Sequence, residues 1–409
     1  MSELPFPLGR QRAAVAFILV TILLDIMALG MVIPVLPSLV IEFMGGDTVG
    51  AATVYGVFGT VWALMQFLCS PLLGALSDRF GRRPVILLSN LGLGLDYVLM
   101  ALAPNLAWLF VGRVISGITA ASIGTAGAYV ADITPKAQRA GRFGLLGSAF
   151  GLGFVLGPAV GGLLGSYGPR LPFWVAAGFS LANALYGLLV LPESLPPERR
   201  ANFSWRRATP LGPLRLLRSQ PGLLGLAGVS ILYSLAHEVL PSTFVLYATY
   251  RYGWGEAMTG LTLAAVGLGA MIVQGWLIKP FVARIGERAT LLFGLGCGAF
   301  GMAIYGLAPT GAWFWSGIPV MAPWGLASPA TQSLMSGRVG GDEQGQLQGA
   351  LSALRGITGL VGPGLFTLTF AAAIGVDRSW HLPGASFLLA ALLLAGALAV
   401  ARAATRSGG

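Results

Sequence analysis

The stretch GALSDRFGRR, residues 74–83, is a short charged segment between two long apolar runs of the chain. Such a segment is rare here, because only 10% of the 409 residues are charged and 55% are hydrophobic. A water-soluble domain carries about 25% charged residues to keep its surface hydrated. With a mean hydropathy of +0.77, this chain must present an apolar surface, and lipid is the solvent that accepts one. We therefore predict a membrane protein in which residues 74–83 form a polar loop.

The apolar runs are long enough to cross a bilayer, which takes about 20 residues of α-helix. The sequence predicts an all-α membrane protein with twelve transmembrane helices. The predicted spans are 14–38, 51–73, 84–104, 106–130, 141–165, 171–192, 221–247, 258–280, 289–308, 312–335, 346–371 and 382–404.

The cationic residues are distributed unevenly between the two sides of these spans. An even number of spans leaves both termini on one side, and that side collects 20 of the 25 Lys and Arg residues. Cationic loops stay in the cytoplasm, so we expect both termini to be cytoplasmic and the protein to lie in the cell (inner) membrane. The same placement accounts for the net charge of +10, and we expect no nucleic-acid partner.

The two halves of the chain look duplicated. At an offset of 205 residues, Gly157-Pro158 falls on Gly362-Pro363, and Arg79, Gly81 and Arg83 fall on Arg284, Gly286 and Arg288. A repeat of six helices keeps its orientation, and paired repeats of this kind place a substrate site between them. We predict two six-helix bundles at 1–192 and 221–409, joined by a hydrophilic cytoplasmic linker at 193–220.

Two motifs resemble those of a known family. Residues 74–83 resemble the loop 2–3 signature of the major facilitator superfamily. Small residues in span 5 allow close helix packing, and their full spacing is similar to the antiporter signature of that superfamily's proton-driven drug exporters. The resemblance implies that both motifs serve conformational gating. The predicted gating residues are Gly74, Asp78, Arg79, Gly81, Arg82, Arg83, Gly144, Gly153, Gly157, Pro158, Gly161 and Gly162.

Further segments narrow the resemblance to the tetracycline/proton antiporters. They are Leu95-Asp96-Tyr97, Gly112–Gly117 and Gln346–Gly349. Leu24-Asp25 followed by Ile33–Pro37 resembles the helix 1 signature of twelve-span drug/proton antiporters. The tetracycline branch carries a His in span 8 and an Asp in span 9, where this chain has Ala270 and Cys297, whereas Gln274 still fits the span 8 pattern. These departures put a tetracycline–metal substrate in doubt, and the resemblance does not identify the substrate.

Charged residues inside the spans are functional candidates, because each costs at least about 2.5–3.5 kcal/mol in the membrane. We expect Asp25 to be the leading proton site, since apolar surroundings favour its neutral form and a nearby Arg113 favours its charged form. The alternative is a permanent ion pair. Asp96 is expected on the proton pathway. Glu238 is a cation-binding carboxylate, a second proton site or the structural partner of Arg355.

The sequence therefore predicts a secondary transporter and not an enzyme. The leading hypothesis is a proton-coupled antiporter that exports small hydrophobic or amphipathic compounds by alternating access. The alternative is a metabolite or sugar carrier of the same fold without proton antiport. We expect no cofactor and no metal site, protons and a small molecule as ligands, and function as a monomer. The predicted substrate-binding residues are Asp25, Asp96, Gln274, Glu238 and Arg355.

Overall fold

The computed structural model describes residues 8–119, 122–135, 138–201, 212–218, 221–340, 343–375 and 381–406. These residues are almost entirely helical and contain no strand. The α-helices are α1 (Leu8–Val32), α2 (Leu36–Phe43), α3 (Thr48–Phe80), α4 (Arg82–Leu102), α5 (Leu106–Thr119), α6 (Ser122–Ile133), α7 (Arg139–Gly165), α8 (Leu171–Val190), α9 (Pro221–His237), α10 (Val239–Tyr252), α11 (Glu256–Ile272), α12 (Ile278–Leu307), α13 (Gly311–Met321), α14 (Ala327–Ser336), α15 (Gln344–Ile374) and α16 (Ala385–Ala404).

Ten helical stretches of the described chain are long and apolar enough to cross a membrane. One of them, Glu256–Leu307, is 52 residues long, far more than a single crossing needs. It contains Gly286 in a non-helical conformation, so it divides where the sequence predicts loop 8–9. The stretch from α13 to α14 covers a further predicted span through a short 3-10 turn at Ala322–Leu326. The helical membrane fold is confirmed, and the count of twelve crossings stays a prediction.

Two glycines at the predicted repeat offset adopt the same backbone conformation. Gly81, between α3 and α4, has φ 106° and ψ 159°, and Gly286 has φ 77° and ψ 166°. Positive φ is costly for any residue with a Cβ and costs glycine nothing. Glycine at both positions therefore ends one helix and starts the next with the same turn.

The first span of each half is also interrupted at matching positions. α1 ends at Val32, α9 ends at His237, and these positions are 205 residues apart. In the first half the interruption holds Pro34, which follows the end of α1. In the second half it holds Glu238, close to the middle of the stretch Gly222–Tyr252. Glu238 therefore lies well inside this helical stretch.

The helices group into two compact units. Unit 1 contains Met1–Leu39, Leu64–Thr209 and Gly255–Ala264, and unit 2 contains Val40–Ala63, Pro210–Trp254 and Ala265–Gly409. These limits are not those of the predicted domains, because 40–63 pack within unit 2 and 255–264 within unit 1. In the predicted linker 193–220, the residues 202–211 and 219–220 lie outside the described chain. The domain limits stay a prediction.

Each unit repeats one packing plan. In unit 1, α1 packs on α7 and α8, and α4 packs on α8. In unit 2, the corresponding helix α9 packs on α15 and α16, and α12 packs on α16. The apolar core of unit 1 centres on α1, where Phe17, Ile18 and Ile26 are almost fully buried. The duplication predicted from the sequence thus extends to helix packing.

Candidate functional site

Three glycines of the span 5 motif bring α7 close to α1. A Cβ on Gly157 would lie 2.7 Å from the backbone oxygen of Met27. A Cβ on Gly161 would lie 2.3 Å from the backbone oxygen of Met31. Both neighbours are backbone atoms that cannot turn away, so only glycine permits this approach. Gly153 meets α1 in the same way, against Leu23 and Ile26.

The remaining members of that motif have other surroundings. Pro158 lies inside α7, and its ring is the nearest neighbour of Gly30 on α1. Gly162 approaches Gly260, which belongs to the first part of α11 within unit 1. Gly144 has nothing within 4 Å of its Cβ position. The structure therefore gives every motif residue except Gly144 a place in close helix packing.

The prediction that residues 74–83 form a loop is wrong, because α3 continues to Phe80 and α4 begins at Arg82, so only Gly81 separates the two helices. Arg82 is the centre of this loop 2–3 motif. Its guanidinium lies 2.5 Å from the carboxylate of Asp78 and 3.1 Å from that of Asp132. It also donates to the hydroxyl of Ser77 at 2.6 Å. Only 9% of Arg82 is exposed, so these partners compensate a largely buried charge. Asp78 thus pairs with an arginine of its own motif.

The other motif residues of this loop lie nearer the surface. Arg83 donates to the backbone oxygen of Leu188 at 2.7 Å. Arg79 sits 5.1 Å from the centre of the Phe80 ring, and Gly74 has no neighbour within 4 Å of its Cβ position. Arg79 is exposed, whereas Arg83 is half-buried and its Nε is shielded from solvent.

Glu193 holds the same loop from the far side of unit 1. Its carboxylate accepts hydrogen bonds from the backbone nitrogens of Arg82 at 2.8 Å and Arg83 at 3.2 Å. It also accepts one from the nitrogen of Leu195 at 3.0 Å. A carboxylate is stabilised at a helix N-terminus, where backbone N–H groups lack partners. Sequence reasoning placed Glu193 in the linker only, and missed both this role and that of Asp132.

Asp96 and Arg113 lie together inside unit 1. Asp96, on α4, is 1% exposed, and its Oδ1 lies 3.0 Å from the Cβ position of Gly112. The absence of a side chain at Gly112 therefore makes room for the carboxyl. No hydrogen bond from the described residues reaches either carboxyl oxygen of Asp96. Arg113, the next residue on α5, donates to Ser116 at 2.8 Å and acts electrostatically on Asp96.

Asp25 joins this group from α1. It is 7% exposed, and Tyr97 lies within electrostatic range of Asp25, Asp96 and Arg113. Asp25 and Asp96 are buried and Arg113 is half-buried, and these three predicted proton-coupling residues of the first half lie on α1, α4 and α5 around Tyr97. We call Asp25, Asp96 and Arg113 the buried charge cluster.

Buried polar residues that sequence reasoning missed surround the same helices. Thr21, one turn before Asp25, donates to Asn183 of α8 at 3.0 Å. Asn90 of α4 is fully buried, and neither atom of its amide has a hydrogen-bond partner in the described chain. An amide in an otherwise apolar span was the available signal, since a buried polar group is costly unless it is paired.

Unit 2 contains a cavity of about 250 Å³ between α9, α14 and α15. Glu238 and Arg355 both line it, and among the described ion pairs none joins these two residues. The structural Glu238–Arg355 pair is thus not among the ion pairs of the described residues, and the role of Glu238 stays a prediction. The other lining residues are Ser230, Tyr233, Ser234, His237, Ser328, Thr331, Gln332, Leu351, Leu354 and Thr358.

Gln274 lies elsewhere. It belongs to a π-helical turn, Val273–Leu277, which joins α11 to α12. Its amide nitrogen is 3.6 Å from the Cβ position of Gly325, and it does not line the cavity. The structure therefore does not bring this predicted substrate-binding residue to Glu238 and Arg355. No group of three or more metal-ligating side chains occurs within the described ranges.

The model of the Major Facilitator Superfamily matches residues 18–363. The chain belongs to the Major Facilitator Superfamily, and it is therefore a membrane transporter and not an enzyme. This confirms the family that the loop 2–3 and span 5 motifs predicted.

Within that superfamily, the chain is similar to tetracycline resistance proteins. It is 38% identical to the class C protein of Escherichia coli, over 93% of this chain and 96% of that protein. It is 36% identical to the class G protein of Vibrio anguillarum, over 91% and 93%. The crystal structure of the human organic anion transporter MFSD10 matches with a TM-score of 0.70 at 25% identity, covering 97% of this chain and all of that one. The predicted branch is confirmed.

Proposed function

We propose that this chain is a proton-coupled antiporter that exports small amphipathic compounds by alternating access. It draws on the proton gradient and needs no cofactor, works as a monomer, and has both termini in the cytoplasm. The tetracycline resistance proteins that it resembles make tetracycline the first compound to test. A changed set of charged residues, with Ala270 and Cys297 in place of the family's His and Asp, separates its substrate range from theirs.

The buried charge cluster is the observation that carries this proposal. Asp25 and Asp96 lie among packed helices with Arg113 close by. In such surroundings a carboxylate is unfavourable unless a cation is near, and a neutral carboxyl is tolerated. A conformational change that moves Arg113 relative to these groups therefore takes up or releases a proton. Asp25 is the leading proton site, Arg113 tunes it, and Asp96 continues the pathway.

The two motifs supply the conformational change. The ion pairs of Arg82 with Asp78 and Asp132 hold one arrangement of loop 2–3, and their loss favours another. The glycine face of α7 lets it move against α1 at close range, because no side chains interlock there. Glu238 and Arg355 are substrate-binding residues in the cavity of unit 2.

Reconstitution tests the proposal directly. Purified protein is inserted into liposomes whose lumen holds a pH-sensitive dye, and tetracycline is added outside. Antiport predicts that tetracycline entry is accompanied by release of protons from the lumen. Protein-free liposomes report any proton movement caused by the compound itself. Tetracycline entry without protein-dependent proton release would instead indicate a facilitator of the same fold.

A further inference from the structure

The cavity of unit 2 has opposite charges at two levels. The Cβ and Cγ of Glu238 both lie 2.4 Å from the Cβ position of Gly362 on α15. Arg355 lies seven residues earlier on the same helix, which is two turns and about 10 Å along its axis. Positions seven residues apart lie on nearly the same face of a helix, so Arg355 and Gly362 share a face of α15. Thr358, which lies between these two residues in the sequence, also lines the cavity. Glu238 and Arg355 therefore line the cavity from positions about two turns of α15 apart.

Glu238 and Arg355 do not form an ion pair with each other in the described chain. None of the ion pairs or side-chain hydrogen bonds among the described residues involves the Glu238 carboxylate or the Arg355 guanidinium. Charges inside membrane spans are expensive, so they are kept for pairing or for function. A cavity that presents a carboxylate at one level and a guanidinium at another suits a ligand with the complementary charges.

Aromatic rings form one wall of the same cavity. Tyr233 and His237 of α9 line it, and both rings pack against Trp324, with centroids 5.0 Å and 5.5 Å away. Trp324 is 4% exposed and holds the two rings from behind. Aromatic faces favour flat ring systems and cations. Tyr233 and Arg355 both line the cavity, so the aromatic wall and the cationic residue face the same space.

We propose that this cavity binds a dipolar amphipathic ligand. A protonated amine of the ligand faces Glu238, an acidic oxygen faces Arg355, and a planar ring lies against Tyr233 and His237. The inference rests on the proposed export function and names its substrate class. The volume of about 250 Å³ is below the roughly 300–1,000 Å³ of small-molecule pockets. The cavity therefore holds the charged and aromatic part of a drug-sized molecule.

Two dyes that differ by one ester group test this inference. Rhodamine 110 carries a delocalised cation and a carboxylate, and rhodamine 123 is its methyl ester, which keeps only the cation. Binding to the purified full-length protein in detergent is measured by fluorescence anisotropy without a proton gradient. We expect wild type to bind rhodamine 110 about tenfold more tightly, the effect of one favourable charged contact.

Substitutions assign the two charges. Arg355→Gln should weaken rhodamine 110 binding about tenfold, because the carboxylate of that dye loses its cationic partner. The affinity for rhodamine 123, which has no free carboxylate, should change by less than about twofold. Arg355→Lys should retain most of the preference. Glu238→Gln should weaken both dyes. The matched controls are Arg402→Gln and Glu42→Gln, at exposed positions outside the cavity, and these should change neither affinity.

Several results would overturn the inference. They are equal affinity of wild type for the two dyes, binding of neither dye, or an equal loss of both in Arg355→Gln. Thermal unfolding of each variant shows whether it folds. If Arg355→Gln does not fold, the inference is tested by comparing the affinities of rhodamine 110 and rhodamine 123 for wild type and for Arg355→Lys. Equilibrium binding is independent of proton release, so failure here leaves antiport standing, and failure of antiport leaves the dye preference measurable.

Discussion

Unit 1 keeps its ionisable groups inside helix packing, whereas unit 2 lines a cavity with them. The two units share a helix arrangement, and glycines 205 residues apart make the same turn in each. The charges inside the spans are not shared. At that offset Asp25 corresponds to Ser230, Asp96 to Gly301, Glu238 to Ile33 and Arg355 to Phe150. Duplication therefore supplied the scaffold, and later substitution gave the units different roles, which we assign as proton coupling and ligand binding.

Removing a carboxyl from the buried charge cluster is expected to have the largest effect. Asp25→Asn cannot exchange a proton at its side chain, so tetracycline-evoked proton release should fall on the order of 100-fold, as for loss of a proton-transfer group. Rhodamine 110 binding should stay within about twofold, because the residues that bind it lie in unit 2. Proteoliposome and anisotropy measurements on the same preparation check both. Unchanged proton release, with Glu42→Gln as the control, would remove Asp25 from the proton pathway.

The close contact between α7 and α1 is a second feature in which unit 1 differs from unit 2. At offset 205 Gly161 corresponds to Phe366, and its Cβ position lies 2.4 Å from the Cα of Met31. Gly161→Ala should lower the free energy of unfolding by up to about 2 kcal/mol, since overpacking costs about 1–3 kcal/mol and the helix preference for alanine returns about 1 kcal/mol. Thermal unfolding in detergent measures it. The matched control is Gly147→Ala in the same helix, where the new Cβ has no neighbour within 4 Å, so the protein should not be destabilised. An equal loss of stability in both variants would contradict the packing role of Gly161.

The two matching turns allow a paired comparison. Alanine at Gly81 or Gly286 must adopt positive φ, at a cost of about 1–3 kcal/mol. At Gly81 the new Cβ would also lie 2.3 Å from the Glu193 carboxylate, whereas Gly286 has nothing within 4 Å. Gly81→Ala should therefore lower the unfolding temperature more than Gly286→Ala. The reverse order would show that Glu193 does not stabilise loop 2–3.

The smallest effect is expected at Gln274. It fits the family pattern in span 8 but does not line the cavity. Gln274→Ala should change rhodamine 110 affinity by less than about twofold, while Gln332→Ala, inside the cavity, should change it more. Anisotropy titrations of the two variants decide this. A large loss in Gln274→Ala would extend the binding site beyond the described cavity.

Local patterns in the sequence were sufficient for the spans and for the motif glycines. Hydropathy located the helices, and the charged loop required the turn at Gly81. Contacts between distant positions were not predictable, such as Glu193 with the start of α4 or Asp132 with Arg82. The family pattern suggested Gln274 for substrate binding, but the π-helical turn places it away from the cavity. Periodicity shows which residues are apolar, and does not show which polar side chains meet.

The two-turn separation of Glu238 and Arg355 also bears on energetics across the membrane. A ligand that satisfies both charges is neutral overall, so its passage moves no net charge through the transmembrane potential. Exchange for one proton then carries one positive charge inward per cycle, worth about 2.3 kcal/mol per 100 mV. Exchange of a purely cationic ligand for one proton would be electroneutral. The net charge of the ligand that Glu238 and Arg355 together accept thus sets whether voltage, as well as pH, drives export.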